Sequence, residues 1–315
     1  MGSKGEKITV VGAGTIGSLT AYTLMAKKSS SEITLVNRNE DKASVKTFDM
    51  SHTLPLIGGT SIEGGSYEKS KGSQVIIITS GVLPKLNGSR MDVLQHNLDI
   101  YRNLIPKLAD LSPEAVIVTV TNPVDIMALA AAKYSGFSNR KIIGSGTLLD
   151  SMRFRSFISK AIKVPPEDVD AIIVGEHGDT MVPIWSQTKI KGVNVQKYVK
   201  DRGIYWNNEV ENDIFQKTKN AGWKIREGNQ HSSYAIAYSA TTIAEAIIQE
   251  SQEYLPISFE QSDTYGLKDL FMSLPIQLGK EGYKRVYELD FTKQELKLID
   301  ESARKLKSNI EKIKF

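Results

Sequence analysis

Apolar residues recur along the chain with two different spacings. Residues 8–11, 32–37, 75–79 and 115–121 are short runs dense in Val, Ile and Leu, each of strand length. The run at 75–79 has almost no polar alternation, as expected for a strand buried on both faces. Residues 15–26, 41–50, 91–109 and 123–134 carry helical spacing, the last with Pro123 in its first turn, where a missing N–H costs nothing. Residues 141–144 close the series as a further strand. This alternation predicts a parallel, doubly wound sheet.

After Gly146 the pattern changes. A helix is predicted over 148–162 and a strand over 170–174. Less regular segments follow, with a polar stretch at 201–220, and then a long helix at 234–249. Short strands are expected near 255–259, 270–275 and 285–287. The last helix opens on Thr292-Lys-Gln-Glu295, which has the form of a capping box, and carries Leu296, Ile299, Ala303, Leu306 and Ile310 on one face. A chain of 315 residues suits two domains. The change of pattern divides them into 1–145 and 146–315.

Composition narrows the chemistry. Hydrophobic residues make up 40% and charged residues 24%, which suits a folded soluble chain. A net charge of +4, evenly spread, gives no footprint for nucleic acid. The chain has no cysteine, which excludes disulfides, thiolate metal sites, iron–sulfur clusters and a cysteine nucleophile. The four histidines, His52, His96, His177 and His231, are widely spaced, so no metal is expected. The most apolar stretch, 116–132, is broken by Asn122, Pro123 and Asp125, so no membrane span is expected. Residues 1–7 are polar and run straight into a strand, unlike a signal or transit peptide. A cytoplasmic protein with no membrane or nucleic-acid partner is the expectation.

Gly12-Ala13-Gly14-Thr15-Ile16-Gly17 carries G-x-G-x-x-G between a predicted strand and a predicted helix, the context that gives the motif meaning. Gly12 permits a tight turn, Gly14 lets backbone approach a pyrophosphate, and Gly17 lets the helix pack closely. Phosphates would sit at the positive end of the helix. The second strand ends in Asn37-Arg38 where an acidic residue is expected to hold the adenosine ribose. An amide does not repel a 2′-phosphate and a guanidinium can pair with one, so NADP is tolerated or preferred. Alternatively Asn37 bonds the ribose and Arg38 points into water.

Three further segments bear on catalysis. His177, in Gly175-Glu176-His177-Gly178-Asp179, lies just past a strand with small neighbours that leave room for a substrate. Asp150 and Arg153 are three apart on one helix and can face one cleft, or form an ordinary surface ion pair. A carboxylate can hold an imidazole in one tautomer, and an arginine fork matches a substrate carboxylate. Residues 81–90 have the look of a mobile lid with Arg90 at the far end, or of an ordinary surface connection. Asn122 could bond a substrate oxygen or the nicotinamide, or cap a helix.

Over nearly its whole length the chain resembles the lactate/malate dehydrogenase family. The resemblance rests on the glycine loop, Thr79-Ser80-Gly81, Arg90, Thr121-Asn122-Pro123-Val124-Asp125, Asp150-Ser-Met-Arg153 and Gly-Glu-His177-Gly-Asp179, in the family's order. It implies a Rossmann-type doubly wound sheet followed by an α+β catalytic domain. It implies hydride transfer between NAD or NADP and a small 2-hydroxy or 2-oxo acid. His177 would donate and accept the proton with Asp150 as partner, Arg153 would bind the carboxylate, and Arg90 would polarise the carbonyl. Asn122 would hydrogen-bond near the reacting centre and the cofactor. The cofactor set extends over Gly12, Gly14, Thr15, Ile16, Gly17, Asn37, Arg38, Thr79, Ser80, Gly81, Asn97 and Val120. A homodimer or homotetramer is also implied.

The resemblance bears on the acid as well. The lid position that is usually arginine in malate enzymes and glutamine in lactate enzymes falls on Pro84, beside Lys85, which departs from both. Lys85 could meet a second carboxylate as a point charge. Ser232 stands where lactate enzymes tend to carry threonine and malate enzymes alanine or glycine. Together these favour malate/oxaloacetate over lactate/pyruvate, with branched 2-hydroxy acids a further alternative. Two rivals belong to other classes. An NAD-dependent glycosidase of related fold relies on a metal held partly by cysteine, which this chain lacks. A non-catalytic protein on the same scaffold has no need to retain every catalytic residue.

Overall fold

In the computed structural model, which describes residues 5–82, 93–228 and 232–315, the apolar runs form the centre of one sheet. β1 (Lys7–Val11), β2 (Glu32–Val36), β3 (Ser61–Gly65), β4 (Val75–Ile78), β5 (Val116–Thr119) and β6 (Ile142–Gly144) lie parallel in the order β3-β2-β1-β4-β5-β6. Every residue of β4 is buried, as its unbroken apolar run requires. The connecting helices are α1 (Thr15–Lys27), α2 (Glu40–Ser51), α3 (Leu54–Ile57), α4 (Leu94–Leu111) and α5 (Val124–Ser135). The strand order reverses between β1 and β4. A doubly wound sheet takes its ligand at such a point, outside the carboxyl ends of the strands.

The second half comprises α6 (Leu148–Ile162), β7 (Val169–Asp170), β8 (Ile173–Val174), β9 (Val182–Pro183), β10 (Lys189–Ile190), β11 (Val193–Asn194) and α7 (Val195–Asp201). It continues with α8 (Asn208–Glu227), α9 (Tyr234–Ile248), β12 (Tyr254–Ser262), β13 (Lys268–Gly279), β14 (Gly282–Val286) and α10 (Lys293–Ile310). β12, β13 and β14 pair antiparallel, and β12 lies beside β6, so the sheet runs on past residue 145 to nine strands among the described residues. One apolar cluster accordingly spans both halves, from Ile8 to Leu306. A second joins Phe154, Ile158 and Ile162 of α6 to Val195, Val199 and Ile214. Among the described residues no helix is long and apolar enough to cross a membrane.

Several expectations are corrected. β3 has a single large apolar residue, Ile62, and escapes a periodicity reading. Its Gly64 is required by packing, because a Cβ there would lie 2.5 Å from the Ala43 carbonyl oxygen of α2. The strand expected at 170–174 is two, β7 and β8, in different small sheets. Those expected at 255–259 and 270–275 are the middles of longer strands. Pro123 caps α5 rather than starting it.

The polar stretch at 201–220 is largely α8. Asn207 caps it, its side-chain oxygen accepting from the N–H groups of Glu209 and Val210. Glu209 and Glu211 in the first turn and Lys224 and Arg226 in the last suit the helix dipole. Only Ile214 and Thr218 of this helix are buried, so the apolar signal is too sparse to read. The capping box at Thr292–Glu295 is present as expected.

Candidate active site

The carboxyl ends of β1 and β4 carry the glycine loop and Thr79-Ser80-Gly81. Gly12 has φ +109°, and a Cβ there would lie 2.8 Å from Ser80 Oγ and 2.9 Å from Thr79 Oγ1. A Cβ on Gly17 would overlap the Gly12 carbonyl and lie 2.7 Å from Thr79 Oγ1. Gly14, by contrast, faces open space, with nothing within 4 Å. It precedes α1 and makes no side-chain cap, so the first N–H groups of that helix face the same opening. A backbone packed tightly on one side and bare on the other fits a dinucleotide pyrophosphate. At the end of β2, the Asn37 side-chain oxygen accepts from Ala13 N–H at 3.2 Å and its amide donates to the Asn39 carbonyl at 3.0 Å. Arg38 beside it is exposed.

Across the switch point, Asn97 of α4 is fully buried and acts as a brace. Its oxygen accepts from Val82 N–H at 2.7 Å, and its amide donates to the carbonyls of Asn122 (2.9 Å) and Val82 (3.3 Å). The Asn122 side-chain oxygen is buried with no hydrogen-bond partner among the described residues. Such an acceptor calls for a bound donor.

The candidate acid–base residues are brought together from several elements. Asp150 sits in the first turn of α6 and is 1% exposed. Its Oδ2 lies 2.5 Å from His177 Nδ1, and its Oδ1 accepts from Arg153 Nη1 at 3.2 Å. Arg153 Nη2 donates to Ser232 Oγ at 3.1 Å. The segment bearing His177 is fixed from every side. Gly175 bridges Ser273 of β13 through two backbone hydrogen bonds, and Glu176 N–H donates to Ser302 Oγ of α10 at 3.0 Å. His177 N–H donates to Asp125 Oδ2 of α5 at 2.8 Å. Ser151 Oγ accepts from Ile173 N–H at 2.9 Å, tying α6 to the strand that leads to His177.

One cavity of about 290 Å³ joins these groups. From the glycine loop come Gly14, Thr15, Ile16 and Gly17. Thr79, Gly81, Val120 and Asn122 come from the ends of β4 and β5, and Asp150, Arg153, His177 and Ser232 from the second half. Gly12, Ser80 and Asn97 stand behind this wall, and Asn37 and Arg38 lie off it at the end of β2. Pro84, Lys85 and Arg90 lie outside the described residues. Sequence reasoning missed one wall altogether. Lys219, Gly222, Trp223 and Arg226 of α8 line the cavity, on a helix whose polar sequence gave no signal of its place.

Asp125 was likewise legible only as part of a motif. Burial pushes its carboxyl up to about 6, against the opposing pull of Ser258 and the His177 N–H, with Glu176 adding repulsion. In the folded chain the neutral acid is therefore favoured relative to the unfolded chain. Its stabilising contribution is complete below the unfolded value near 4 and is lost as pH rises through about 6. Asp125→Asn keeps an acceptor for His177 N–H and removes the titration. Between pH 4 and pH 7 the wild type should lose about 3 kcal/mol relative to this variant. Denaturant unfolding across that range measures it, and parallel pH profiles would contradict the assignment.

Comparison with known proteins agrees with this geometry. Residues 6–144 match the family model described as lactate/malate dehydrogenase, NAD binding domain, and residues 147–315 that described as lactate/malate dehydrogenase, alpha/beta C-terminal domain. An L-lactate dehydrogenase of Acetivibrio thermocellus is 36% identical over 305 residues, 97% of this chain and 96% of that protein. An L-lactate dehydrogenase of Clostridium botulinum is 32% identical over 304 residues, 96% of each chain. Among solved structures, a minor L-lactate dehydrogenase from Enterococcus mundtii superposes with TM-score 0.94 at 28% identity, over 99% of this chain and 100% of that one. The Cryptosporidium parvum malate dehydrogenase superposes with TM-score 0.93 at 32% identity, over 97% and 98%. The chain belongs to the lactate/malate dehydrogenase family of NAD-dependent oxidoreductases.

Proposed function

We propose that the chain interconverts a small 2-hydroxy acid and its 2-oxo acid, with malate and oxaloacetate the preferred pair. The observation that carries the reaction is Asp150, buried, holding His177 on one oxygen and Arg153 on the other inside the cavity that the glycine loop opens into. With Asp150 ionised, Nδ1 of His177 carries a proton and Nε2 is left to act. In oxidation, Nε2 takes the hydroxyl proton, and in reduction it returns one to the carbonyl oxygen. The resulting imidazolium is stabilised by Asp150 in surroundings of low dielectric. A bound nicotinamide supplies the hydride donor or acceptor. Arg153 presents a planar fork that matches the substrate carboxylate. Arg90 is assigned to polarising the carbonyl on its motif position alone.

Ser232, a small residue on the cavity wall beside Arg153, leaves room for an acid with two carboxylates. The two sequence relatives above, both L-lactate dehydrogenases, favour the lactate/pyruvate pair as the second reading. For the coenzyme, the neutral Asn37 and the exposed Arg38 leave NADP acceptable beside NAD. Large apolar side chains exposed on α2 and α3, Phe48 at 68% and Leu56 at 94%, support a homodimer or homotetramer.

A panel of oxaloacetate, pyruvate and branched 2-oxo acids, each with NADH and NADPH, tests the substrate and coenzyme together. Arg153→Lys tests the carboxylate site. A point charge cannot replace two parallel hydrogen bonds, so kcat/KM for the 2-oxo acid should fall about 100-fold or more. The dissociation constant of NADH should change by less than about threefold, because the hydrogen bonds of Arg153 among the described residues go to Asp150 and Ser232 rather than to the glycine loop. Equal losses in both quantities would remove the assignment.

A further inference from the structure

Asp125, in the first turn of α5, is 2% exposed and does not line the cavity, yet its Oδ2 accepts the His177 main-chain N–H at 2.8 Å. Its Oδ1 is buried with no hydrogen-bond partner among the described residues. Ser258 of β12 stands beside it, its hydroxyl likewise buried and without such a partner. Among the described residues the titratable groups acting on Asp125 are Glu176 and His177, both on the segment it holds. The Glu176 carboxylate accepts from Thr180 Oγ1. Asp150 of α6 engages the same histidine at its ring.

A helix dipole favours an acid in the first turn, but it asks neither for burial nor for a bond to a residue 52 positions away. Anchoring one N–H needs no charge, because asparagine presents the same acceptor and a carboxylate is far costlier to bury. The other main-chain anchors of this segment are neutral: the Ser302 hydroxyl for Glu176 N–H and the Ser273 backbone for Gly175. Only at His177 itself, among the described residues, is the main-chain anchor ionisable. There it interacts with the charge of the imidazole, and opposite charges stabilise each other strongly where water is excluded.

We propose that Asp125 is a positioning residue for proton transfer: it fixes His177 through the main chain and, as an anion, stabilises the imidazolium from the main-chain side while Asp150 does so at the ring. The proposal rests on the reading above that His177 carries the proton. Reduction consumes the imidazolium form and oxidation the neutral form. A carboxylate that stabilises the imidazolium therefore extends reduction to higher pH and holds the onset of oxidation back to higher pH. Burial pushes the Asp125 carboxyl up to about 6, so the anion is present at neutral pH and is lost below that value.

The test uses the full chain with saturating NADH and follows kcat/KM for the better of oxaloacetate and pyruvate from about pH 5 to about pH 10, a profile that reports the enzyme–NADH complex. In Asp125→Asn the alkaline fall of reduction should begin about half a pH unit or more lower, and the acid onset of 2-hydroxy acid oxidation with NAD should move the same way. Below about pH 6, where the wild-type carboxyl is protonated too, the two reduction profiles should meet. The NADH dissociation constant should change by less than about threefold, since Asp125 does not line the cavity. Ser302→Ala removes a neutral anchor of the same segment and should leave both limbs in place, whatever it costs in rate. Ser258→Ala keeps Asp125 and removes a hydroxyl that favours its anion, so it should move the alkaline limb part of the way in the direction of Asp125→Asn. The proposal is overturned if Asp125→Asn leaves both limbs where they were, if Ser302→Ala moves them as far, if Ser258→Ala moves the alkaline limb the other way, or if NADH binding weakens by the factor that kcat/KM loses. Failure of the wild type to reduce any 2-oxo acid is read on that chain by itself and overturns the functional reading, and this proposal with it.

Discussion

His177→Asn should lower kcat for 2-oxo acid reduction by about 1,000-fold while NADH binds as before. Asparagine is polar and of similar reach, but it cannot shuttle a proton near neutral pH. The loop should keep its shape, because its anchors are not made by the imidazole. They are the His177 backbone N–H on Asp125, the Gly175 bridge to Ser273 and the Glu176 N–H on Ser302. Among the described residues the ring contact weakened is that with Asp150 Oδ2, and Asp150 retains Arg153 on its other oxygen. Steady-state rates at pH 7, with NADH affinity from fluorescence titration, separate the two effects. Activity above about a tenth of the wild type would show that another group moves the proton.

Gly17→Ala should abolish tight NADH binding and lower stability by about 3 kcal/mol or more. The added methyl would overlap the Gly12 carbonyl and crowd Thr79 Oγ1, which itself donates to the Val11 carbonyl at 3.0 Å. Backbone stands on one side and the buried end of β4 on the other, so α1 must move, and with it the loop at its start. Gly14→Ala provides the contrast. Its φ of −79° suits any residue and no atom lies within 4 Å, so the fold should tolerate it. NADH should nevertheless bind about tenfold more weakly, because the methyl occupies the opening offered to the pyrophosphate. Melting temperatures and NADH titrations of the two variants should therefore diverge. Equal melting temperatures would mean that the overlap at Gly17 is relieved without cost.

The glycine loop, the alternating strands and helices of the first half and the segment around His177 were readable because their signals are local. A strand buried on both faces must be apolar throughout, as β4 is, and a pyrophosphate loop must place glycine at fixed offsets. β3 was not readable, since Gly64 is dictated by the backbone of α2 lying against it. Asn97 was assigned to the cofactor by resemblance, and only the fold shows that its side chain also ties Val82 to Asn122.

What the chain alone determined was its family, its parallel sheet and the candidates for the acid–base and carboxylate groups, because period and motif act over a few residues. Tertiary structure decided what surrounds them. Asp150 and Asp125 reach His177 from 27 and 52 positions away, and Ser302 anchors the same loop from 126. α8 was a polar stretch until folding set one of its faces against the cavity. Distances along a sequence carry no record of which far segments meet. Only the packing of both halves on one apolar core brings three cations to the same wall.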